Sequence, residues 1–398
     1  MKRYRIGWIA ICLLLVGGAC DCSDDVGDSD AEENGDGGAD VHVGDDTLVN
    51  GGDIGEDALV NGGQIGDVAE KENSEEEPGY WELIDTGVTS LRYVSSHFID
   101  EDNGWLLAED NTTGEQFVIR TIDGGHTWEQ LDAPNGAIRN IFFHDQDHGW
   151  LPETFGPPGQ DAGVWRTENG GEDWEYYEVE EGYNNRLEAI YFVDENTGWV
   201  GGDAIFRTDD GGKSWTTQLE EDVQLLVNDA YFVDESVGTM VGNTGLVFHT
   251  RDGGQNWDQV VSEEVGGEPF FVSFLDAELG WIRARSGRVL HTEDGGQTWT
   301  EIGDISDNSD SRGRGLGAVS FIDADRGWVG GGQGEIHRTT DGGVSWELEQ
   351  VIYQGEHTVT LLDLYMIHED LGFAAGGRDL HAEVETVPVL RYSSREDD

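Results

Sequence analysis

Four arginines stand out in a chain of 398 residues whose formal net charge is -61. Arg283 and Arg285 occur in Trp281-Ile282-Arg283-Ala284-Arg285-Ser286-Gly287, and Arg312 and Arg314 lie between Asp304 and Gly317. A guanidinium offers planar, paired donors, so four of them brought together would bind a carboxylate or a phosphate. Asp304, Asp307 and Asp310 are close in sequence, and a local salt-bridge network with them is the competing reading. A second candidate patch is aromatic. Phe155 sits in the extended segment Leu151-Pro152-Glu153-Thr154-Phe155-Gly156-Pro157-Pro158, and Tyr183 with Arg186 precedes the following repeat. Exposed there, they would suit contact with a protein or a glycan; a long loop can equally pack on itself.

Other chemistries find few residues to carry them. His42, His144, His148, His357, His368 and His381 show no metal-ligand spacing, and Asp307-Asn308-Ser309-Asp310 lacks the spacing and closing Glu of a calcium loop. Cys12, Cys20 and Cys22 are the only cysteines, which leaves everything after them without a thiol nucleophile, a disulfide or a cysteine metal site. No metal and no cofactor is implied. Asp and Glu are so numerous that a carboxylate pair could be drawn almost anywhere, so acids alone carry no catalytic signal.

The elements that must position these residues are repeats. Six hairpin boxes of the form (Arg/His)-Thr-x-(Asp/Asn)-Gly-Gly-x-(Thr/Ser/Asp/Asn)-Trp, with one-residue variations, end at Trp128, Trp174, Trp215, Trp257, Trp299 and Trp346. They are about 41 to 47 residues apart, the length of a four-stranded propeller blade. Gly-Gly supplies the positive φ of a tight turn, and the acidic or amide side chain can accept the turn's own amides. Asp123, Asn169, Asp210, Asp252, Asp294 and Asp341 are therefore read as structural. Arg120, Arg166, Arg207 and Arg338, with His249 and His291, recur just before the box Thr and are read as framework too.

A second motif precedes each box: an apolar or aromatic pair, Asp or His, then a short polar run closing on Gly and usually an aromatic, as in Tyr191-Phe192-Val193-Asp194 to Gly198-Trp199. It occurs seven times, once more than the box. The seventh unit reads Val389-Leu390-Arg391-Tyr392-Ser393-Ser394 and stops, whereas Tyr80-Trp81-Glu82-Leu83-Ile84 resembles Ser345-Trp346-Glu347-Leu348-Glu349. Trp81 is thus expected on the outer strand of the last blade, closing the ring by strand pairing. The expected fold is an all-β, seven-bladed β-propeller closed by an N-terminal strand. With strands A to D counted outward, the Gly-Trp turns and the boxes share one face. The B-to-C and D-to-A loops share the other, where Arg283 and Arg285 are expected in a B-to-C loop and Arg312 and Arg314 in the loop entering blade 6. Functional residues are those that break the repeat.

Upstream, residues 1–20 carry Lys2, Arg3 and Arg5, an apolar run from Ile6 to Val16, and Gly17-Gly18-Ala19-Cys20, a secretory signal too short for a membrane span. The ending resembles a bacterial lipoprotein signal, with Gly17 where Leu is usual, and implies lipidation at Cys20; an ordinary cleaved signal is the alternative. Residues 21–79 are rich in Asp, Glu, Gly and Asn, with Lys71 the only Lys or Arg. Such a stretch cannot bury enough apolar surface to order itself and reads as a disordered acidic tether spanning ~40 Å. The propeller occupies 80–398. The expected location is the bacterial cell envelope, with a lipid anchor as the only membrane contact, at a periplasmic or cell-surface site. The strong negative charge disfavours nucleic acid and anionic lipid as partners, and it also keeps a secreted protein soluble.

The paired Gly-Trp and Arg-Thr-x-Asp-Gly-Gly-x-Ser/Thr-Trp motifs, once per blade over most of 80–398, resemble those of the photosystem II stability and assembly factor propellers. The resemblance implies a seven-bladed, non-catalytic module that binds a protein partner. Asp boxes also occur in sialidases and in xyloglucan-active exo-glucanases, which makes a carbohydrate-active hydrolase, acting on extracellular glycans, the alternative. Against it, no Arg-Ile-Pro segment precedes the first box, and the exo-glucanases build their cleft between two propellers where this chain has material for one. The reading is a non-catalytic, envelope-anchored protein-binding or assembly module with its ligand on the face opposite the boxes.

Overall fold

A computed structural model describes residues 79–88, 91–110, 112–154, 160–180, 183, 186–219, 226–260, 269–284, 287–305, 317–354, 357–378 and 387–393. The signal, Cys20 and the tether up to residue 78 lie outside them. The described residues form seven antiparallel sheets. Blade 3 is typical: Leu187–Phe192, Gly198–Gly202, Ile205–Thr208 and Thr216–Leu219 pair in chain order. Blade 7 takes three strands from the end of the chain, His357–His368, Leu371–Arg378 and Val389–Ser393. Its fourth is Tyr80–Ile84, paired antiparallel with Val389–Ser393. The ring is closed as the seventh, box-less unit requires.

The two motifs build one repeating aromatic joint. In blades 1 to 6 the glycine opening the second strand makes room for the phenylalanine ending the first, and in blade 7 Gly372 does so for Met366: at Gly198 a Cβ would come within 2.4 Å of the Phe192 ring. The tryptophan after that glycine then stacks on the phenylalanine of the next blade. Trp105 on Phe143, Trp150 on Phe192, Trp199 on Phe232 and Trp281 on Phe321 have ring centroids 3.6 to 3.9 Å apart. The box tryptophan of that next blade meets the same ring edge-on, as Trp215 does at Phe192. Stacked and edge-on pairs each add about 0.5–1.5 kcal/mol beyond burial, so the joint is a strong reason for the motifs to recur together.

Polar bonds cross the same joints. The indole N–H of Trp105, Trp150, Trp199 and Trp281 donates to a box glycine carbonyl of the following blade, at Gly170, Gly211, Gly253 and Gly342. Arg120 and Arg207, just before their box threonines, donate to the Gly170 and Gly253 carbonyls, which fits the framework role of these arginines. Blade 7 offers no box, and Trp328 donates instead to the Glu349 carboxylate at 3.0 Å.

Inside each box the acid organises the turn. Asp210 accepts the Ser214 amide at 2.8 Å and the Ser214 hydroxyl at 2.6 Å, while the Thr208 hydroxyl donates to Asp210 and accepts the Gly212 amide. Gly211 and Gly212 have φ of 77° and 88°, which side chains other than glycine rarely adopt. Asp123, Asp252, Asp294 and Asp341 repeat the arrangement, and Asn169 keeps it by accepting the Asp173 amide. Hydrogen bonds hold the carboxyls of Asp123 and Asp341 below the ordinary range. Asp210→Ala is expected to cost about 1–2 kcal/mol, as loss of a comparable helix cap does, read as a lower urea midpoint at unchanged slope.

Candidate functional site

On the propeller axis the innermost strands of all seven blades enclose a cavity of about 790 Å³. A strand's side chains alternate between its faces, and the same register position recurs in each blade, so the wall can be compared level by level. One level, just before the conserved phenylalanine position, holds His97, Phe142, Tyr191, Tyr231, Ser273, Ser320 and Tyr365. Ring contacts join five of these into an arc: Tyr365 to His97 at 5.7 Å, His97 to Phe142 at 4.6 Å, Phe142 to Tyr191 at 5.1 Å, and Tyr191 to Tyr231 at 5.1 Å. Two serines close the circle, and the wall is lopsided.

Two residues earlier, the wall holds Ser95, Asn140, Asp229, Phe271, Ala318 and Asp363, while the equivalent Ala189 of blade 3 is buried behind it. Here the repeat breaks into polar groups that stitch blades together. Asp363 of blade 7 accepts the Ser96 amide of blade 1 at 2.8 Å, the Ser96 hydroxyl at 3.1 Å, and the Tyr93 hydroxyl, all on one oxygen. Asp229 of blade 4 accepts the Val272 amide of blade 5 at 2.9 Å. Asn140 accepts from the Ser95 hydroxyl at 3.1 Å and donates to the Glu188 carbonyl at 3.0 Å, bridging blades 1 and 3. Tyr365 donates to the Ser96 carbonyl at 2.6 Å.

Burial dominates the electrostatics. It raises the Asp229 carboxyl to about 7, with Asp363 adding to the rise, and raises Asp363 too. It pushes His97 down to about 4, leaving a neutral ring whose Nδ1 accepts the Phe143 amide. Toward the starts of the strands, on the face opposite the boxes, the wall carries Arg139 and Glu188. Glu188 pairs with Arg186 at 3.5 Å, and burial raises its carboxyl against the pull of both arginines. No three His, Cys, Asp or Glu side chains among the described residues converge as a metal site. The wall can therefore offer aromatic faces, hydroxyls and acceptor oxygens.

The arginine and aromatic patches read from sequence are not what the fold assembles here. Arg285, Arg312, Arg314 and Phe155 lie outside the described residues. Arg283 is not in a loop: it falls in the strand Gly280–Ala284, pairs with Phe271, and is 3% exposed. Tyr183 is buried rather than exposed, its ring edge-on to Phe206 and its hydroxyl donating to the Arg186 carbonyl. Arg186 does reach the channel rim through Glu188. Leu151–Glu153 belong to a strand, Gly149–Glu153, so the extended loop begins later than the sequence reading placed it. The channel acids escaped that reading, although aligning the innermost strands on their phenylalanines would have exposed Asp229 and Asp363 as departures from the repeat.

The family model described as photosynthesis system II assembly factor YCF48 matches residues 217–308, from the outer strand of blade 3 through blade 5. A solved structure of YCF48 bound to D1 peptide superposes with a TM-score of 0.58 at 19% identity, covering 80% of this chain and 97% of that one. The chain is a seven-bladed β-propeller, and within it residues 217–308 match that family's model. Fold likeness extends more widely: the GH74 xyloglucanase of Xanthomonas campestris superposes with a TM-score of 0.53 at 14% identity, over 75% of this chain and 54% of the enzyme. Among curated proteins, vacuolar protein sorting/targeting protein 10 of Aspergillus fumigatus is 30% identical over 133 residues, 32% of this chain. This chain's match spans only 8% of that relative's length.

Proposed function

We propose that the chain is a non-catalytic, envelope-anchored module that captures a protein partner, with the contact on the face opposite the boxes and at the channel mouth there. The observation that carries this reading is where the repeat breaks. The box face is a ring of near-identical framework turns, while the departures converge on the channel wall and, through Arg139, Arg186 and Glu188, on its opposite mouth. Likeness to a propeller solved with a peptide bound supports a polypeptide as the ligand. Lipidation of Cys20 would hold the module at a membrane.

A photo-crosslinking residue placed at Arg139 or Arg186 is expected to trap a polypeptide in native envelopes, whereas one at Ile122, 64% exposed on a box turn, is not. Trapping from Ile122 alone would put the partner on the wrong face. In the same cells Cys20→Ser is expected to move the protein from the membrane fraction to the soluble one; unchanged membrane association would remove the anchor. The alternative, a hydrolase acting on extracellular glycans, draws on the GH74 likeness and on two buried carboxylates in one cavity. Turnover in a glycan screen, abolished by Asp363→Asn, would favour it.

A further inference from the structure

We propose that the central channel receives a primary ammonium group, the side chain of a lysine presented by the bound partner. This rests on the protein-binding reading and names what the partner inserts. The aromatic arc from Tyr365 through His97 and Phe142 to Tyr191 and Tyr231 is continuous at centroid spacings of 4.6 to 5.7 Å, and the rings of Tyr191, Tyr231 and Tyr365 are only partly buried. Aromatic faces attract cations and accommodate the apolar stem of a long basic side chain. Next to the arc, Asp229 and Asp363 supply the only acids at their level of the wall among the described residues; burial acts most on both, and Asp363 adds its charge to Asp229. His97 is held neutral by burial. The wall thus combines π faces with two carboxyls whose hydrogen-bond partners among the described residues are hydroxyls and amides, which is the complement of a protonated amine.

The geometry favours ammonium over guanidinium. Asp363 gathers its donors from blade 1 on a single oxygen, and Asp229 is bound to the Val272 amide from another part of the ring. These acids stand on blades 4 and 7, separated at their own level by Phe271 and Ala318 of blades 5 and 6 on one side. Separate acceptors around a hollow suit a compact group with three rotatable donors. A guanidinium instead seeks a two-oxygen edge in one plane. A divalent metal is disfavoured because three ligating side chains do not converge among the described residues.

Calorimetric titration of the full chain with n-butylammonium, a mimic of the lysine head and stem, tests this against n-butanol. Saturable binding of butylammonium is expected, with butanol at least tenfold weaker. Asp229→Asn and Tyr231→Leu should each weaken butylammonium at least tenfold, with near-ultraviolet circular dichroism showing both variants folded. Butanol binding as tightly as the amine, or both variants binding it unchanged, overturns the proposal. Failure of the underlying reading looks different: crosslinks from the channel mouth would then recover no polypeptide while butylammonium still bound.

Discussion

Trp81→Ala is expected to lower the stability of the propeller by about 3–5 kcal/mol, the usual cost of deleting a large buried aromatic, seen as a drop in the urea midpoint. Trp81 is 2% exposed although it stands on the outermost strand of its blade. Its ring lies 5.2 Å from Tyr392, and its indole donates to the Glu349 carboxylate at 3.1 Å. The same oxygen accepts Trp328, so Glu349 takes the place that a box carbonyl fills at other joints. Gln350 brackets the Trp81 peptide, accepting its amide at 2.9 Å and donating to its carbonyl at 2.8 Å. Burial raises the Glu349 carboxyl, and the two indoles act against that rise. Removing one therefore leaves a buried acid less well satisfied as well as a cavity. Tyr80→Ala on the same strand, where the side chain is 41% exposed, is expected within about 0.5 kcal/mol of wild type. Equal losses at both positions would mean that strand pairing alone closes the ring.

The closing strand was legible because it repeats a local pattern: Tyr-Trp-Glu-Leu matches Ser-Trp-Glu-Leu after box six, and the unit lacking a box needs one more strand. The boxes were legible for the same reason, since a turn's chemistry is contained in a few adjacent residues such as Thr208, Asp210 and Gly212. Arg283 was misplaced because the next blade carries glycines from Gly330 onward, where the chain leaves its strand, while in blade 5 the pairing of Phe271 with Arg283 and Pro269 with Ala284 carries the strand further. Local contrast cannot tell a longer strand from a loop substitution. Asp229 and Asp363 were harder still. Only an alignment of all the innermost strands sets them apart from the many solvent-facing acids, and their burial depends on packing seven blades around one axis.

That burial gives the second large effect. The Asp229 carboxyl is raised from its ordinary 3.8 to about 7, chiefly by desolvation, with Asp363 adding to the rise and the Val272 and Ala230 amides opposing it. Burial raises Tyr191 and Tyr365 as well, with the Asp229 charge adding to the rise, and both stay neutral through this range. A carboxyl that binds its proton more tightly when folded supports the fold fully below about pH 4, and that support is lost as pH rises toward 7. The difference corresponds to about 4 kcal/mol by pH 8. Asp229→Asn keeps an oxygen for the Val272 amide and removes the ionisation. The variant should therefore match wild type near pH 4 and exceed it by up to about 4 kcal/mol at pH 8, measured as urea midpoints across that range. The box acids, shifted the other way, weaken both proteins alike as pH falls below 4 and cancel in the comparison. A pH-independent difference would mean that water reaches Asp229 well enough to keep it an ordinary carboxylate. The gain in stability expected of this variant, set against its predicted loss of amine binding, would identify Asp229 as a charge retained at the expense of the fold, which is the mark of a group kept for a ligand.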